Sequence, residues 1–200
     1  PTHLDLLDWL ACEFMQPTVL PNVNGVPAQK WDMKAMQKLV VTSATYRQAT
    51  TVLPAVLEKD PENRFYARGP RFRLHAEAIR DQALAISGLL VEKVGGPSVF
   101  PPIPASVADQ VYGGFSWPER QGEDRYRRGL YTFWKRALPF PALLAFDAPT
   151  AENSCTRRVR SNTPLQALTT LNEKTFVEAA QAMCLRVLRE AGPDERSRAI

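Results

Sequence analysis

The chain has 200 residues, 44% of them hydrophobic and 23% charged, with a net charge of +4. That length can bury a proper core, and the composition excludes wholesale disorder. Seven lysines leave eighteen of the 25 basic residues as arginine, whose guanidinium forks suit internal carboxylates ahead of a nucleic-acid surface.

A first helix is predicted over 4–15, where Leu6, Leu10 and Phe14 repeat at i+4 with Leu7 beside them, capped by Thr2 with Asp5 three residues on. Pro17, Pro21 and Pro27 then enforce a loop. A second helix starts at Asp32, with Trp31 and Met36 placed as a hydrophobic staple, and continues to about Tyr46. A short helix follows Pro54, and Asp60-Pro61 reads as a cap with proline at the next first position. The longest helix is expected over 73–94. Ile79, Ala83, Ile86, Leu90 and Val94 form its buried face, and Gly95-Gly96-Pro97 stops it.

From about 97 to 125 the chain is a long irregular excursion, including Pro101-Pro102 and Gly113-Gly114. Residues 129–136 are aromatic and partly alternating, which predicts a strand, and 143–146 reads as another extended piece. Thr163-Pro164 caps a helix holding Leu165, Leu168 and Leu171. Asn172 caps a last one, with Phe176, Ala180, Met183 and Val187 on one face, ending at Gly192-Pro193. The expected class is therefore mainly α: a helical domain with long Pro/Gly-rich loops and a few short strands. Residues 1–200 form a single domain or a fragment of a larger multidomain protein. A chain opening on Pro1 reads as an excised piece.

Several chemistries are disqualified. Cys12, Cys155 and Cys184 make no CxxC, so zinc-ribbon, thioredoxin-like and c-type haem attachment readings fail in this segment, and spacing assigns no disulfide. His3 and His75 are the only histidines and have no second ligand at metal spacing, so no metal is expected. No apolar run reaches membrane-spanning length. There is no GxGxxG, no P-loop and no nucleophile elbow.

Two polar clusters remain. The first is Arg68, Arg71, Arg73, Glu77, Arg80 and Asp81, where Arg73 and Glu77, and Glu77 and Asp81, stand at i,i+4 on the expected helix. Two carboxylates on one face could divide acid and base roles, but a salt-bridge network docking an arginine-rich loop onto the helix weighs more. The second joins Arg127 and Arg128, interleaved with Tyr131, Phe133 and Trp134, to Arg157, Arg158 and Arg160 before the helix capped by Thr163. Arginines at a helix N-terminus suit sulfate, phosphate or carboxylate, and Asp147 is an equally good internal partner.

Several phrases resemble one family. They are Val41-Thr-Ser-Ala-Thr-Tyr-Arg-Gln, Ala67-Arg-Gly-Pro-Arg-Phe-Arg-Leu with Glu77-Ala-Ile-Arg-Asp-Gln-Ala-Leu, Gly95-Gly-Pro-Ser-Val, Tyr126-Arg-Arg-Gly-Leu-Tyr-Thr-Phe-Trp-Lys-Arg, Phe146-Asp-Ala-Pro and Asn162-Thr-Pro-Leu-Gln-Ala-Leu. In this order they look like the C-terminal domain of unknown function of planctomycete cytochrome-C-domain proteins, from about Leu4 to Leu188. His75 stands where such domains often have an acidic residue, and Gly129 where serine is common.

The resemblance implies an exported protein of the periplasm or cell envelope, with c-type haem in an upstream domain and no established catalytic residues. The expected role is a structural or interaction domain whose partners are other domains of the parent chain. The alternatives are a polysaccharide-active enzyme using Glu77, Asp81 or Asp147, or a sulfated-glycan or anion-binding module. Nucleic acid is not an expected partner.

Overall fold

A computed structural model describes residues 2–108 and 116–191. The expected breaks at Gly113-Gly114 and Gly192-Pro193 lie outside the described residues. The chain is mainly α, with no sheet among the described residues. It divides into two compact units, 1–72 and 73–200.

The first unit holds α1 (Leu4–Met15), α2 (Met33–Thr42) and α3 (Pro54–Lys59). His3, not Thr2, stands at the start of α1, and its Nε2 lies 2.7 Å from the Arg64 carbonyl. Asp32 caps α2 as its sequence suggests, Oδ1 accepting from the N–H groups of Lys34 and Ala35. Trp31 turns at φ 65° and meets the Phe14 ring edge-on at 5.2 Å. Buried Glu13 does a similar capping job for the chain beyond α1, accepting from the Thr18 hydroxyl and from the N–H groups of Thr18 and Val19. Those bonds hold its carboxyl below the ordinary range. Asp60 starts no helix. It closes α3, and its carboxylate accepts from the Arg64 and Phe65 N–H groups in a turn.

The second unit holds α4 (Ala76–Ser87), α5 (Ala105–Ala108), α6 (Pro141–Ala145), α7 (Pro164–Asn172) and α8 (Lys174–Glu190). Helix α4 is shorter than expected at both ends. Gly88, at φ 78°, takes the left-handed position that ends a helix, so Leu90 and Val94 leave the helical face. Helix α8, with 17 residues, is the longest. The two pack together, and their buried residues are Ala76, Arg80, Leu84 and Ser87 on α4 and Thr175 and Ala179 on α8. Each buried face is one residue away from the apolar stripe that periodicity picks out.

The strand expected over 129–136 becomes a 3₁₀ turn, Gly129–Tyr131, with isolated bridges from Thr132 to Val99 and from Arg127 to Val91. Residues 143–146 are mostly helical rather than extended, because Pro141 at the first position starts α6. Glu173, not Asn172, caps α8 by accepting from the Phe176 N–H. The core of this unit is aromatic. Phe100 stacks on Phe133 at 4.5 Å, Trp117 meets Phe100 edge-on at 5.2 Å, and Phe140 and Leu143 close the cluster.

A candidate site in the second unit

Helix α4 carries Arg80 inward and Glu77 and Asp81 on the adjoining face. Against that face lies the Gly129–Tyr131 turn, and glycine is what lets it approach. A Cβ at Gly129 would stand 3.0 Å from the Glu77 Cα. The contact brings the Gly129 N–H to Asp81 Oδ1 at 2.5 Å and Arg128 Nε to Asp81 Oδ2 at 2.9 Å. From a later loop Arg158 reaches the other carboxylate, its Nη1 lying 2.9 and 2.7 Å from the two oxygens of Glu77. Burial alone would raise the Glu77 pKa, but the Arg158 hydrogen bond and charge outweigh it and hold the carboxyl lower. Arg160 Nη2 lies 3.1 Å from His75 Nε2.

The two clusters seen in the sequence therefore meet. Glu77 and Asp81 from the first, with Arg128 and Arg158 from the second, face a cleft of about 470 Å³. His75, Thr132, Trp134 and Leu143 complete its walls. The pairing is not the helical one the spacing suggests. Arg73 precedes α4 and pairs with Asp147, so no Arg73–Glu77 step is made along the helix.

Asp147, at φ 63° just beyond α6, is the hub of a second polar knot. It accepts from Arg73 Nη2 at 2.5 Å, from the Ser161 N–H at 2.7 Å and from the Ser161 hydroxyl at 2.8 to 2.9 Å. Arg73 Nε donates to the Ser161 carbonyl at 2.9 Å, and Gln166 of α7 donates to the Ser161 hydroxyl at 3.3 Å. The Ser161 N–H, then its hydroxyl and Arg73, hold the Asp147 carboxyl below the usual range. One side chain thus joins the approach to α4, the end of α6 and the start of α7.

The remaining arginines divide by burial. Arg127 is 1% exposed and donates to the carbonyls of Lys93, Gly95 and Pro97 while lying 3.7 Å over the Tyr131 ring. Arg80, also buried, donates to the Arg125 carbonyl at 2.7 Å. Burial pushes its guanidinium below the ordinary value, with Glu173 and Asp81 opposing. Arg68 belongs to the first unit, where it donates to the carbonyls of Asp60 and Pro61. Arg71 is exposed on an apolar groove of about 980 Å³ in that unit, near Trp9 and Tyr66. Arg157 is exposed.

Sequence reasoning missed Ser161, Thr132 and Glu178, the last accepting from Arg125 at 2.8 Å and from the Tyr126 hydroxyl at 3.1 Å. Glu178 meets Arg125 and Tyr126 across more than fifty residues, Ser161 meets Asp147 across 14, and nothing in their local pattern or that of Thr132 marks them. Among the described residues no group of three or more histidine, cysteine or acidic side chains could hold a metal ion. No described helix is long and apolar enough to cross a membrane.

A family model described as PSD1, a protein of unknown function (DUF1553), matches residues 1–200. No curated protein and no solved structure matches the chain.

Proposed function

Because the chain belongs to the PSD1 (DUF1553) family of proteins of unknown function, we propose that it is a structural or interaction domain of an exported, multidomain, cytochrome-c-associated protein of the cell envelope. The observation that supports this is the state of the acidic side chains. Glu77, Asp81 and Asp147 are each engaged by an arginine from a distant part of the chain. A general acid needs a carboxyl that is protonated at working pH, and a nucleophile needs one with a free face. Here pairing keeps Glu77 and Asp147 ionised, and their oxygens hold loops to helices. That arrangement favours scaffold over catalysis, including catalysis on polysaccharide.

The cytochrome association rests on the ordered phrases of the sequence. The cysteines here do not fit haem attachment, since Cys12, Cys155 and Cys184 are single and exposed. Any haem therefore belongs to another domain of the parent, and the partners of this one are its neighbours in that chain.

The test is on the native protein. An antibody raised against the chain should capture from its source a polypeptide several times larger than 22.4 kDa, with c-type haem absorption bands. Capture of a protein near that mass with no haem bands overturns the reading.

A further inference from the structure

We propose that the cleft between α4 and the Gly129–Tyr131 turn binds a neutral polyhydroxylated ligand, a sugar ring presenting adjacent hydroxyls. This goes beyond the scaffold reading and does not depend on it, since binding asks nothing of the carboxylates except that they stay ionised.

Charge is the first argument. The cleft sets two carboxylates, Glu77 and Asp81, beside two guanidiniums, Arg128 and Arg158, each acid already paired with one base. An anionic ligand would meet the two carboxylates beside the guanidiniums, and a cationic one the two guanidiniums beside the carboxylates, so neither sign of charge gains a net attraction. A hydroxyl donates and accepts at once, so it can join a pair without breaking it. The capacity is there. The carboxylate face of each pair retains lone pairs, and each guanidinium retains N–H donors, Arg158 spending only Nη1 on Glu77 and Arg128 only Nε on Asp81. Two neighbouring hydroxyls match such an alternation of acceptor and donor.

The second argument is an unfinished wall. Thr132 lines the cleft, is 7% exposed, and buries its hydroxyl with no hydrogen-bond partner. A buried hydroxyl left unpaired costs about 1–3 kcal/mol, and a ligand hydroxyl in the cleft that Thr132 lines is a partner of the kind it lacks. The third is the apolar wall. Trp134 faces the same cleft with its Nε1–H directed to the Thr150 carbonyl at 3.3 Å, which fixes the ring and leaves an apolar surface for the C–H groups of a sugar. A volume of about 470 Å³ lies in the range of small-ligand sites.

The experiment is saturation-transfer NMR and calorimetry on the 200-residue chain. The probes are the methyl glycosides of glucose, galactose, mannose and xylose, with glucose 6-sulfate and glucuronic acid as charged counterparts. We expect transfer to at least one neutral glycoside, with an affinity unchanged when salt is raised. Thr132→Val removes the hydroxyl but keeps the shape. It should leave thermal stability equal or higher and weaken that glycoside by about fivefold. Arg128→Ala, at an exposed position, should weaken it comparably. Transfer to none of the neutral glycosides overturns the proposal. So does binding confined to the charged sugars and lost in salt, which would mark an anion site. Full affinity in both variants also overturns it, because the ligand would then sit elsewhere.

Discussion

Arg127 has the chemistry of a ligand-binding arginine and the surroundings of a structural one. It is enclosed, stacked on Tyr131, and spends its donors on three backbone carbonyls of 93–97. Truncation would strand those carbonyls and leave a void beside the ring. Arg127→Ala should therefore cost about 3 kcal/mol in a denaturant titration, and Arg127→Lys should recover little, because an ammonium cannot reproduce the planar fork. Asp147 makes the second residue-scale case. Its folded pKa lies below the unfolded aspartate value of about 3.9, so the unfolded state binds more protons as acid is added. Its contribution is present above that value and is lost as pH falls through the depressed folded pKa. Asp147→Asn should be less stable near neutrality and show a flatter loss of stability between about pH 5 and 2, as read by circular dichroism melts. Equal slopes for the two proteins would show that the knot with Arg73 and Ser161 contributes nothing. At this scale the sequence was half legible. That arginines and acids would pair could be read from their numbers, but which would pair could not, since Arg73 reaches Asp147 and Arg158 reaches Glu77 over 74 and 81 positions.

Elements announce themselves where local chemistry decides them. Asp32 sits before α2 and caps it, Pro164 opens α7, and the bounds of α1 follow the run of leucines between a polar start and Pro17. They mislead where tertiary contact decides. The apolar repeat runs on past Ser87 to Val94, yet Gly88 adopts φ 78° and the following residues leave the helix, Val91 meeting Arg127 in a bridge. The aromatic run after Gly129 alternates like a strand, but among the described residues its pairing is limited to isolated bridges such as Thr132 with Val99, and its start, Gly129–Tyr131, folds as a tight turn against α4. That contact yields a prediction of its own. A Cβ at position 129 would lie 3.0 to 3.2 Å from backbone and side-chain atoms of Glu77, too close for the helix to give way without moving the turn. Gly129→Ala should destabilise the chain by about 1–3 kcal/mol and lengthen the bonds to Asp81. The readout is a lower Tm together with changed amide shifts at Gly129. A variant as stable as the parent would mean that the turn is not seated on the helix as described.

In the second unit, the apolar residues that periodicity selects are largely those left at the surface. Apart from Leu84, the buried residues of α4 and α8 are small or polar, and Ile86, Met183, Leu185 and Leu188 are between 43% and 52% exposed. On α7, Leu165, Leu168 and Leu171 are 60%, 56% and 72% exposed. Contiguous exposed apolar side chains are where protein surfaces associate. On the interaction-domain role proposed above, a further protein surface would cover these faces. A pattern of leucines can report that a face is apolar, but not whether the cover comes from the same 200 residues, and the site shares that limit. The isolated chain should accordingly bind 8-anilinonaphthalene-1-sulfonate and self-associate with rising concentration in sedimentation velocity. Replacing Leu168 and Leu171 together by lysine should suppress both behaviours and leave the Tm within about 2 °C, because exposed positions away from the core shift stability by only about ±0.5 kcal/mol. If the double variant instead melts far earlier, α7 belongs to the core of the unit and the search for a partner moves to the flanks of α4 and α8. If it stays folded while association persists, the covering contact lies on a face other than α7.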